Sequence, residues 1–364
     1  DYGHPALKEY LHRFPARHYI VKSDDKDFFL RFSADFGQFL IMHDATISYK
    51  QLPFRFYELT RYSFRREKSG EVVGLKRLRA FTMPDMHTLC ADLESAKQEF
   101  KRQFEFSQSV LKDIGIEPQD YEAAIRFTED FMKENREFIT SIVKDDLKKP
   151  ALIEVWSFRY AYFDPKFEFN VIDSADKATA LSTVQIDHEY GKRYGMSYIN
   201  SEGKKEYPIV LHCSPSGAIE RIIYALLELA WLKEKREKKV MSLPLWLSPT
   251  QLRIVPISEK HLDKAIEIAN ALKGAGLRVD VDDSDDTLNK KIMRAEQEWV
   301  PYIGVIGDKE INENKITVRL RSEKVQKSVS VDEIKNEILN ATKGMPNSPL
   351  SLPMLLSGRP TFFG

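Results

Sequence analysis

Side chains that could hold a nucleotide are concentrated in one short stretch of the chain, residues 54–90. The candidates are two arginines, two carboxylates, an aromatic ring and a histidine: Arg65, Arg77, Glu67, Asp85, Phe81 and His87. Arginine offers a rigid fork of donors that suits phosphate, and a flat ring can stack on a base. The simpler alternative is a charged hairpin with solvated arginines, because charge runs usually face water.

These side chains require two strands to position them. An apolar run from residue 54 predicts the first strand, and residues 68–70 predict a turn. Residues 74–81 predict a second strand with Arg77 and Arg79 on one face, because strand side chains alternate. The following carboxylate and histidine are then expected at the exit of this hairpin.

Two later segments carry further candidates. Thr183 and Gln185 lie in a predicted strand and point the same way, although either alone would more often be a surface residue. Residues 209–231 predict a strand, a turn with Gly217, and a helix with Arg221 in its first turn. Glycine permits the close approach of a ligand, and a helix N-terminus with an arginine suits phosphate. The turn and arginine are a weak pattern in isolation.

Composition limits the possible classes of protein. The 364 residues include 55 basic and 55 acidic side chains, so net charge gives no argument for nucleic-acid binding. Two cysteines, Cys90 and Cys213, exclude a disulfide framework and fit a reducing cytoplasm. No apolar run is long enough to cross a membrane, and the length suggests two domains. Because residue 1 is Asp, we expect the chain to start within a longer protein.

Periodicity and turn residues predict the remaining elements. They are a helix in 2–17, a hairpin in 19–32, helices in 33–49, 92–114 and 121–148, strands in 151–173 and 180–187, and a charged linker at 233–239. Beyond the linker, residues 248–343 alternate between strands and helices, including a strand at 302–311. This alternation implies a parallel or mixed sheet.

The order of these motifs resembles a known family. Arg-x-Glu, a loop and Arg-x-Arg-x-Phe resemble motif 2 of the class II aminoacyl-tRNA synthetases, and FTMPDMH is similar to their threonyl branch. GAIER resembles motif 3, with the strand TVQID between the two motifs. The resemblance implies catalytic arginines at Arg65 and Arg221. It implies an ATP site formed by Arg65, Glu67, Arg77, Phe81, Thr183, Gln185, Gly217 and Arg221.

The resemblance also implies the domain organisation. We expect an α/β (α+β) protein with a class II antiparallel-sheet catalytic domain in residues 1–240 and an α/β anticodon-binding domain in 241–345. The latter is similar to its family in VPYIGVIGDKE and KITVRLR, so Glu310 and Arg319 are expected to read anticodon bases. Motif 1 is not recognised upstream, so a homodimer rests on resemblance alone. The tail, 346–364, has no assigned role.

A metal site is implied by the same family. Its zinc is held by Cys, His and His, and the two histidines match His87 and His212, whereas Asp35 stands where the family has Cys. A carboxylate oxygen is an acceptable zinc ligand, but it is harder than a thiolate and changes metal preference. Asp85, Gln185 and Lys166 are expected to contact threonine, and Met83 replaces a glutamine of many relatives.

The function implied is activation of L-threonine with ATP and its transfer to threonine tRNA, with Mg²⁺ at the phosphates and Zn²⁺ testing the hydroxyl. Valine has nearly the same shape as threonine and lacks the hydroxyl, so an apolar pocket would separate them poorly. Serine would be admitted, and a separate editing protein is one way to clear it. Two alternatives stay open: a non-catalytic paralogue that binds tRNA or regulates, and a related enzyme that charges serine or proline.

Overall fold

The computed structural model describes residues 5–13 and 18–360 and separates into two compact units between Leu229 and Ala230. The predicted domain boundary near residue 240 stays a prediction. In the described part of the chain, no helix combines the length and the apolar character needed to cross a bilayer.

The first unit is built on a large sheet. The strands of the unit are β1 (Tyr19–Ser23), β2 (Lys26–Leu30), β3 (Ile47–Ser48), β4 (Phe54–Phe64), β5 (Ala80–Cys90), β6 (Glu122–Thr128), β7 (Ala151–Trp156), β8 (Phe163–Ile172), β9 (Ala178–Asp187), β10 (Tyr198–Ile199), β11 (Lys205–Glu206) and β12 (Ile209–Ser214). Seven of them form the large sheet. The helices of the unit are α1 (Pro5–Arg13), α2 (Asp35–Asp44), α3 (Leu93–Asp113), α4 (Glu129–Glu134), α5 (Arg136–Ser141) and α6 (Tyr190–Arg193). A further helix, α7 (Ile219–Glu237), begins in this unit and continues past Leu229. A π-helical segment, Ile142–Leu147, follows α5.

The seven-stranded sheet has the order β4-β5-β12-β9-β8-β6-β7, and only the β6–β7 pair is parallel. Helix α3 covers one face with Phe100 and Phe104, which are fully buried against Phe167 and Phe169 of β8. The antiparallel sheet expected from the resemblance is confirmed. The opposite face of the sheet is left for the site.

The predicted second strand of the 54–90 hairpin is wrong in its position. β5 starts at Ala80, and the arginines Arg77 and Arg79 lie in the loop before it. A turn with Gly74 at φ +44° and a hydrogen bond from the Val73 amide to the Arg77 carbonyl (3.0 Å) fold this loop back on itself. Asp85 and His87 consequently lie inside β5, not at its exit.

The predicted helix over 121–148 is also wrong in its first part. Residues 122–128 form β6, where Ala123, Ile125 and Phe127 are buried at a spacing of two residues. The helices start only at Glu129, where Thr128 caps α4 by accepting the Phe131 amide. The predicted linker at 233–239 is wrong as well, because α7 continues through Glu237.

Other predicted elements agree with the structure. The hairpin in 19–32 is β1–β2, and the helices in 33–49 and 92–114 are α2 and α3, the latter capped by Asp92. The strand–turn–helix of 209–231 is β12 and α7. α1 lies within the predicted helix 2–17, but residues 2–4 and 14–17 of that prediction fall outside the described residues.

The second unit is a five-stranded mixed sheet with helices. Its strands are β13 (Leu252–Pro256), β14 (Val279–Val281), β15 (Tyr302–Ile306), β16 (Ile316–Leu320) and β17 (Val325–Val329); its helices are α8 (Leu262–Gly274), α9 (Leu288–Gln297), α10 (Asp308–Glu313) and α11 (Val331–Ala341). The order is β14-β13-β15-β16-β17, with the first three strands parallel. The mixed sheet is as predicted. The strand predicted at 302–311 is too long, because residue 308 begins α10.

The described part of the C-terminal tail packs on this unit. The Val281 amide donates to the Met354 carbonyl at 2.9 Å, and Leu355 forms a parallel bridge with Val281. Met354 and Leu355 also pack against the core of the unit. The tail is therefore part of the second unit up to residue 360.

Candidate active site

A cavity of about 460 Å³ gathers most of the predicted site residues of the first unit. Its wall includes Asp35, Arg65, Phe81, Asp85, Lys166, Thr183, Gln185, His212, Gly217 and Arg221. These residues come from segments separated by up to 186 positions, which only the folded sheet brings together. We call this the main cavity.

Strand register explains this convergence. His87 on β5 pairs with His212 on β12, which pairs with Gln185 on β9, and Gln185 pairs with Lys166 on β8. Because side chains directly opposite one another across a pleated sheet share a face, these four residues form one row. Thr183, two residues before Gln185, lies on the same face and also lines the main cavity.

Asp35, His87 and His212 form a buried cluster at one end of this row. Asp35 Oδ1 lies 3.0 Å from His87 Nε2 and 3.7 Å from His212 Nδ1, and the two ring nitrogens are 2.9 Å apart. Each of the three residues is at most 6% exposed. One carboxylate oxygen and two ring nitrogens facing a common point are a donor set that fits Zn²⁺ with a position left open for substrate.

The far side of each imidazole has its own partner. His87 Nδ1 donates to the amide oxygen of Gln38, and His212 Nε2 donates to Asp187 Oδ2 at 2.9 Å. These bonds leave Nε2 of His87 and Nδ1 of His212 to face Asp35. Such outer partners fix ring orientation and tautomer at metal sites.

The sequence interpretation missed both partners, although spacing contained a signal for each. Gln38 lies three residues after Asp35 on α2, one helical turn away, and Asp187 lies two residues after Gln185 on β9. Both are buried polar residues, which usually have a specific partner.

Electrostatics within the cluster favour an ion-paired state. Burial alone would raise the pKa of Asp35, but hydrogen bonds from His212 and His87 outweigh it and hold that pKa below its usual range. Burial alone would lower the pKa of His212, but the carboxylates of Asp187 and Asp35 raise it to about 10. The two carboxylates therefore stabilise positive charge on His212, and a metal ion bound at Nδ1 would have to displace the proton from this nitrogen.

Asp85 stands on the cavity side of the same strand as His87. It accepts a hydrogen bond from the Tyr62 hydroxyl at 2.9 Å, and burial raises the pKa of its carboxyl. Tyr62 is itself buried, and the Arg31 guanidinium lies over its ring at 5.1 Å. Tyr62, which the sequence interpretation also missed, therefore holds one Asp85 oxygen and fixes the orientation of the carboxylate.

Two arginines stand at the other end of the main cavity. The Arg65 guanidinium lies 5.2 Å from the centre of the buried Phe81 ring. Arg221 donates to the carbonyls of Lys76 (3.2 Å) and Ala180 (3.0 Å), and burial lowers its pKa. Neutral carbonyls hold the guanidinium in place without cancelling its charge, so Arg221 remains able to attract an anion.

A neighbouring cavity of about 360 Å³ extends this end and is lined by Arg65, Glu67, Arg77, Phe81 and Arg221. The Arg77 Nη2 and Glu67 Oε2 atoms are 2.8 Å apart, so this pair is already engaged. The structure therefore brings the predicted nucleotide residues together, with Glu67 and Arg77 in the adjoining cavity.

The carboxylate of Glu220 connects the segments that resemble motifs 2 and 3 through hydrogen bonds. Glu220, in the first turn of α7, accepts the Thr82 amide of β5 at 2.9 Å and 3.0 Å through its two oxygens. This contact fixes the strand that carries Phe81 against the helix that carries Arg221. The sequence interpretation did not identify it.

Gly217 owes its place to the backbone around it. It has φ +75°, and a Cβ atom there would lie 2.4 Å from the Leu181 carbonyl oxygen of β9. We expected the glycine to permit the close approach of a ligand. In the structure it is a neighbouring strand that lies close, and the absence of a side chain lets the turn pack against that strand. Gly217 also lines the main cavity.

Two of the remaining predicted side chains differ in how far they are engaged. Lys166 Nζ lies 3.0 Å from Glu168 Oε2. The buried Gln185 Oε1 has no hydrogen-bond partner among the described residues, although it lies in the cavity wall. A buried carbonyl oxygen without a partner is costly, so Gln185 is suited to accept a donor from a bound molecule.

Glu310 and Arg319 lie in the second unit. Glu310 accepts the Gly307 amide at 3.0 Å and the Thr317 hydroxyl at 2.8 Å. Arg319 Nε lies 3.0 Å from Glu296 Oε1. A cavity of about 230 Å³ is lined by Glu310, and Arg319 is not among the described residues of its wall. The structure thus gives both residues local partners and does not gather them around one cavity.

Comparison with known proteins agrees with this arrangement. Residues 19–230 match the family described as the tRNA synthetase class II core domain (G, H, P, S and T), and residues 251–341 match the anticodon binding domain family. The chain belongs to the class II tRNA synthetases.

Individual relatives show which members of the family the chain resembles. The chain is 60% identical over 364 residues to the threonine–tRNA ligase of Pyrococcus horikoshii, and 58% identical over 365 residues to that of Thermococcus onnurineus. Each alignment covers 100% of this chain and 58% of the relative. The chain therefore spans somewhat more than half the length of these curated relatives.

Solved structures share the fold. A crystal structure described as the RNA binding domain of threonyl-tRNA synthetase from Cryptosporidium parvum superposes with a TM-score of 0.77 at 24% identity, covering 94% of this chain and 84% of that one. Prolyl-tRNA synthetase of the same organism, in complex with L-proline and AMP, gives 0.69 at 17% identity, covering 92% and 62%. At these identities the likeness concerns architecture alone.

Proposed function

We propose that this chain carries the catalytic and anticodon-binding parts of a threonine–tRNA ligase, which activates L-threonine with ATP and transfers it to the 3′ end of threonine tRNA. The observation that carries the proposal is the main cavity, whose wall combines two arginines at one end with the Asp35–His87–His212 cluster at the other. A nucleotide and a small polar amino acid fit such an arrangement.

ATP would occupy the arginine end. Arg65 and Arg221 would hold its phosphates and stabilise charge on the α-phosphorus as the threonine carboxylate attacks and pyrophosphate leaves. Phe81 would stack on the adenine, with Glu67 on its amino group, Arg77 beside the phosphates, and Thr183 and Gly217 along the ribose side. Mg²⁺ is expected with the triphosphate. No protein nucleophile is required, because positioning and electrostatics supply the rate.

Threonine would occupy the other end. A zinc ion held by Asp35, His87 and His212 would supply Lewis-acid coordination for the amino group and the side-chain hydroxyl. Asp85, oriented by Tyr62, would accept the hydroxyl hydrogen bond, and Gln185 would accept from the amino group, with Lys166 nearby. Valine cannot replace the hydroxyl, so it would leave these buried groups unpaired.

The remaining parts of the proposal concern partners. Glu310 and Arg319 would contact anticodon bases of threonine tRNA, and the assembly would be a homodimer. Serine would pass the hydroxyl test, so a separate editing protein would clear mischarged tRNA. A cytoplasmic location is part of the same proposal and is supported by two buried, unpaired cysteines.

Arginine 65 provides the direct test. We expect Arg65→Ala to fold, as judged by circular dichroism, and to lose threonine-dependent exchange of pyrophosphate into ATP by roughly 10²–10³-fold, the cost of removing one group that stabilises transition-state charge. Arg61→Ala is the matched control, because Arg61 lies on β4, which ends one residue before Arg65, and does not line the main cavity. Normal exchange by Arg65→Ala would refute the assignment.

A non-catalytic paralogue is the second candidate, and one observation favours it: a carboxylate, Asp35, stands in the metal cluster where the resemblance implies a thiolate. Retention of both arginines, Phe81, Gln185 and Asp85 around one cavity supports the enzyme. Threonine-dependent pyrophosphate exchange by the unmodified chain separates the two, since a paralogue would show none. Exchange with serine or proline in place of threonine would show a different amino acid specificity.

A further inference from the structure

A chain of aromatic rings leads from the protein surface to the wall of the main cavity. Phe158 and Tyr160 have ring centres 6.5 Å apart, Tyr160 and Trp156 are 4.0 Å apart, and Trp156 and Phe163 are 5.9 Å apart. We call these four residues the aromatic ladder. Lys166 Nζ lies 5.7 Å from the centre of the Phe163 ring, and Lys166 lines the main cavity.

The outer end of the ladder is open to solvent. Phe158 is 68% exposed and Tyr160 is 63% exposed. Large rings with this exposure are unusual for residues that only stabilise a fold, and grouped exposed apolar side chains mark interaction surfaces.

Strand register places Trp156 of the ladder on the face of the sheet that carries the cavity wall. The row of paired residues that includes Gln185 and Lys166 continues to Arg126 on β6 and Glu154 on β7. Trp156 is two residues after Glu154 on β7, so its side chain shares that face. The ladder is therefore continuous with the cavity wall along one surface.

The cations around the ladder already have acidic partners. Arg126 Nη2 lies 2.6 Å from Glu154 Oε2, Arg159 Nη2 lies 3.6 Å from Glu189 Oε1, and Lys166 is paired with Glu168. The Arg126 guanidinium also covers Trp156 at 4.9 Å from the ring centre. Local charge is thus nearly balanced, and this surface offers the exposed rings of Phe158 and Tyr160 more than free cations.

We propose that the aromatic ladder stacks the unpaired nucleotides at the 3′ end of the tRNA as they enter the main cavity. The inference rests on the proposed function, because that function requires a single-stranded RNA end to reach this cavity. Exposed rings in series are how proteins hold single strands without reading sequence, since every base has a flat face. Balanced charge further implies that this contribution depends little on salt, unlike phosphate contacts.

The binding test uses the whole chain and a short single-stranded RNA with the sequence of the tRNA 3′ end, labelled at its 5′ terminus. Loss of one stacking ring should weaken binding roughly 5- to 100-fold, so we expect this for Phe158→Ala and for Tyr160→Ala. Phe158→Trp should restore binding. Phe106→Ala is the matched control, because Phe106 is also an exposed phenylalanine of the first unit (47%) but lies on α3.

Trp156 supplies an internal reporter. The chain has four tryptophans, and a base stacked near Trp156 should quench its fluorescence when the RNA binds. Trp156→Phe should abolish the quenching and largely keep the binding. Raising the salt concentration should weaken wild type and Phe158→Ala by the same factor, because the ladder contributes no phosphate contacts.

Transfer to tRNA gives the second readout. With intact threonine tRNA, Phe158→Ala and Tyr160→Ala should lower kcat/KM for aminoacylation, and pyrophosphate exchange, which needs no tRNA, should stay near the wild-type rate. With tRNA from which the unpaired 3′ nucleotides have been removed, the variants should bind as well as wild type. Absence of exchange in the unmodified chain would refute the proposed function, yet the RNA-binding test would still decide the ladder.

Three results would overturn the inference. Unchanged binding of the single-stranded RNA by both alanine variants is the first. An equal loss of affinity for intact and 3′-truncated tRNA is the second, because it would place the contact elsewhere on the tRNA. The third is a wild-type oligomer that dissociates in Phe158→Ala, because a second protein chain would then cover the rings.

Discussion

Charged side chains are arranged differently in the main cavity and around Glu310 and Arg319. In the main cavity, groups from distant segments converge: Arg65, Asp35 and His212 line one space. In the second unit, Glu310 caps the start of α10 and bonds Thr317, while Arg319 pairs with Glu296. Sequence resemblance assigned a role to both sets with the same kind of argument.

The difference teaches where such an argument gains strength. A side chain with complete local bonding has a structural reason to be present, so its type alone says little about a ligand. A buried polar atom without a hydrogen-bond partner in a residue of the cavity wall, such as Gln185 Oε1, has no such reason. Convergence around one cavity therefore supports a functional role more firmly than a matched residue type, and the following changes test that distinction.

Removal of a proposed metal ligand should have the largest effect. We expect Asp35→Ala to lose bound zinc, measured by elemental analysis, and to lose threonine-dependent pyrophosphate exchange by roughly 10³-fold, because a Lewis acid contributes several kcal/mol to a transition state. Asp35→Cys is the control and should keep zinc, since a thiolate is also a good ligand. A zinc content in Asp35→Ala equal to that of wild type would show that Asp35 stabilises the fold around the two histidines and does not bind the metal.

Gly217 tests whether the backbone of the main cavity is as fixed as its side chains. Gly217→Ala adds a Cβ atom 2.4 Å from a carbonyl oxygen at φ +75°, so we expect a loss of about 2–4 kcal/mol in unfolding free energy. Gly203→Ala is the control, with φ +77° and open space around the added atom, and should cost about 1 kcal/mol. Urea denaturation measures both. Equal costs would show that the turn moves aside.

Much of the main cavity was predictable because its residues obey strand periodicity. Thr183 and Gln185 share a face by alternation alone, and Arg221 follows a turn at a helix start. The second strand of the hairpin was misplaced, because Arg77, Leu78 and Arg79 alternate as strand residues do while tight-turn hydrogen bonds hold that segment in a loop. The alternating pattern and the hydrogen bonds of the turn disagree there, and the turn determines the structure.

Other features depended on relations between segments that no single pattern contains. Phe127 and Phe131 are four residues apart, a spacing typical of a helix, yet Phe127 lies in β6 and Phe131 in α4. The pairing of His87 with His212 follows from strand register, which the sequence does not state. The partners Gln38 and Asp187 became identifiable only once that register oriented both rings.

Gln38 sharpens the comparison, because it is a buried group engaged locally that nonetheless serves the main cavity. Its amide oxygen accepts from His87 Nδ1 and holds Nε2 toward Asp35. We expect Gln38→Leu to weaken zinc binding roughly 10- to 100-fold, measured by competition with a chelator. Gln38→Glu should bind zinc as well as wild type, because a carboxylate also accepts that hydrogen bond. Unchanged zinc affinity in Gln38→Leu would mean that packing alone orients the ring.

Glu310 gives the most direct test of the contrast between locally bonded and converging side chains. The expected effect on unfolding free energy is the smallest of those considered. Glu310→Gln keeps an oxygen for the Gly307 amide and an NH₂ group for the Thr317 hydroxyl, so unfolding free energy should change by less than about 0.5 kcal/mol. If Glu310 also reads a base, kcat/KM for aminoacylation should fall roughly tenfold. A carboxylate oxygen can accept a hydrogen bond from the base, and the NH₂ group that replaces it in Gln cannot. Pyrophosphate exchange should be unaffected.

The matched control is Glu313→Gln, an exposed carboxylate on the same helix. It removes the same charge from α10 without touching either hydrogen bond of Glu310, so a general electrostatic effect on tRNA binding would lower aminoacylation in both variants equally. A loss confined to Glu310→Gln would mean that local bonding and base reading coexist in one side chain. Wild-type aminoacylation in both would leave Glu310 as a helix cap, and complete local bonding would then be a sound argument against a binding role in this unit.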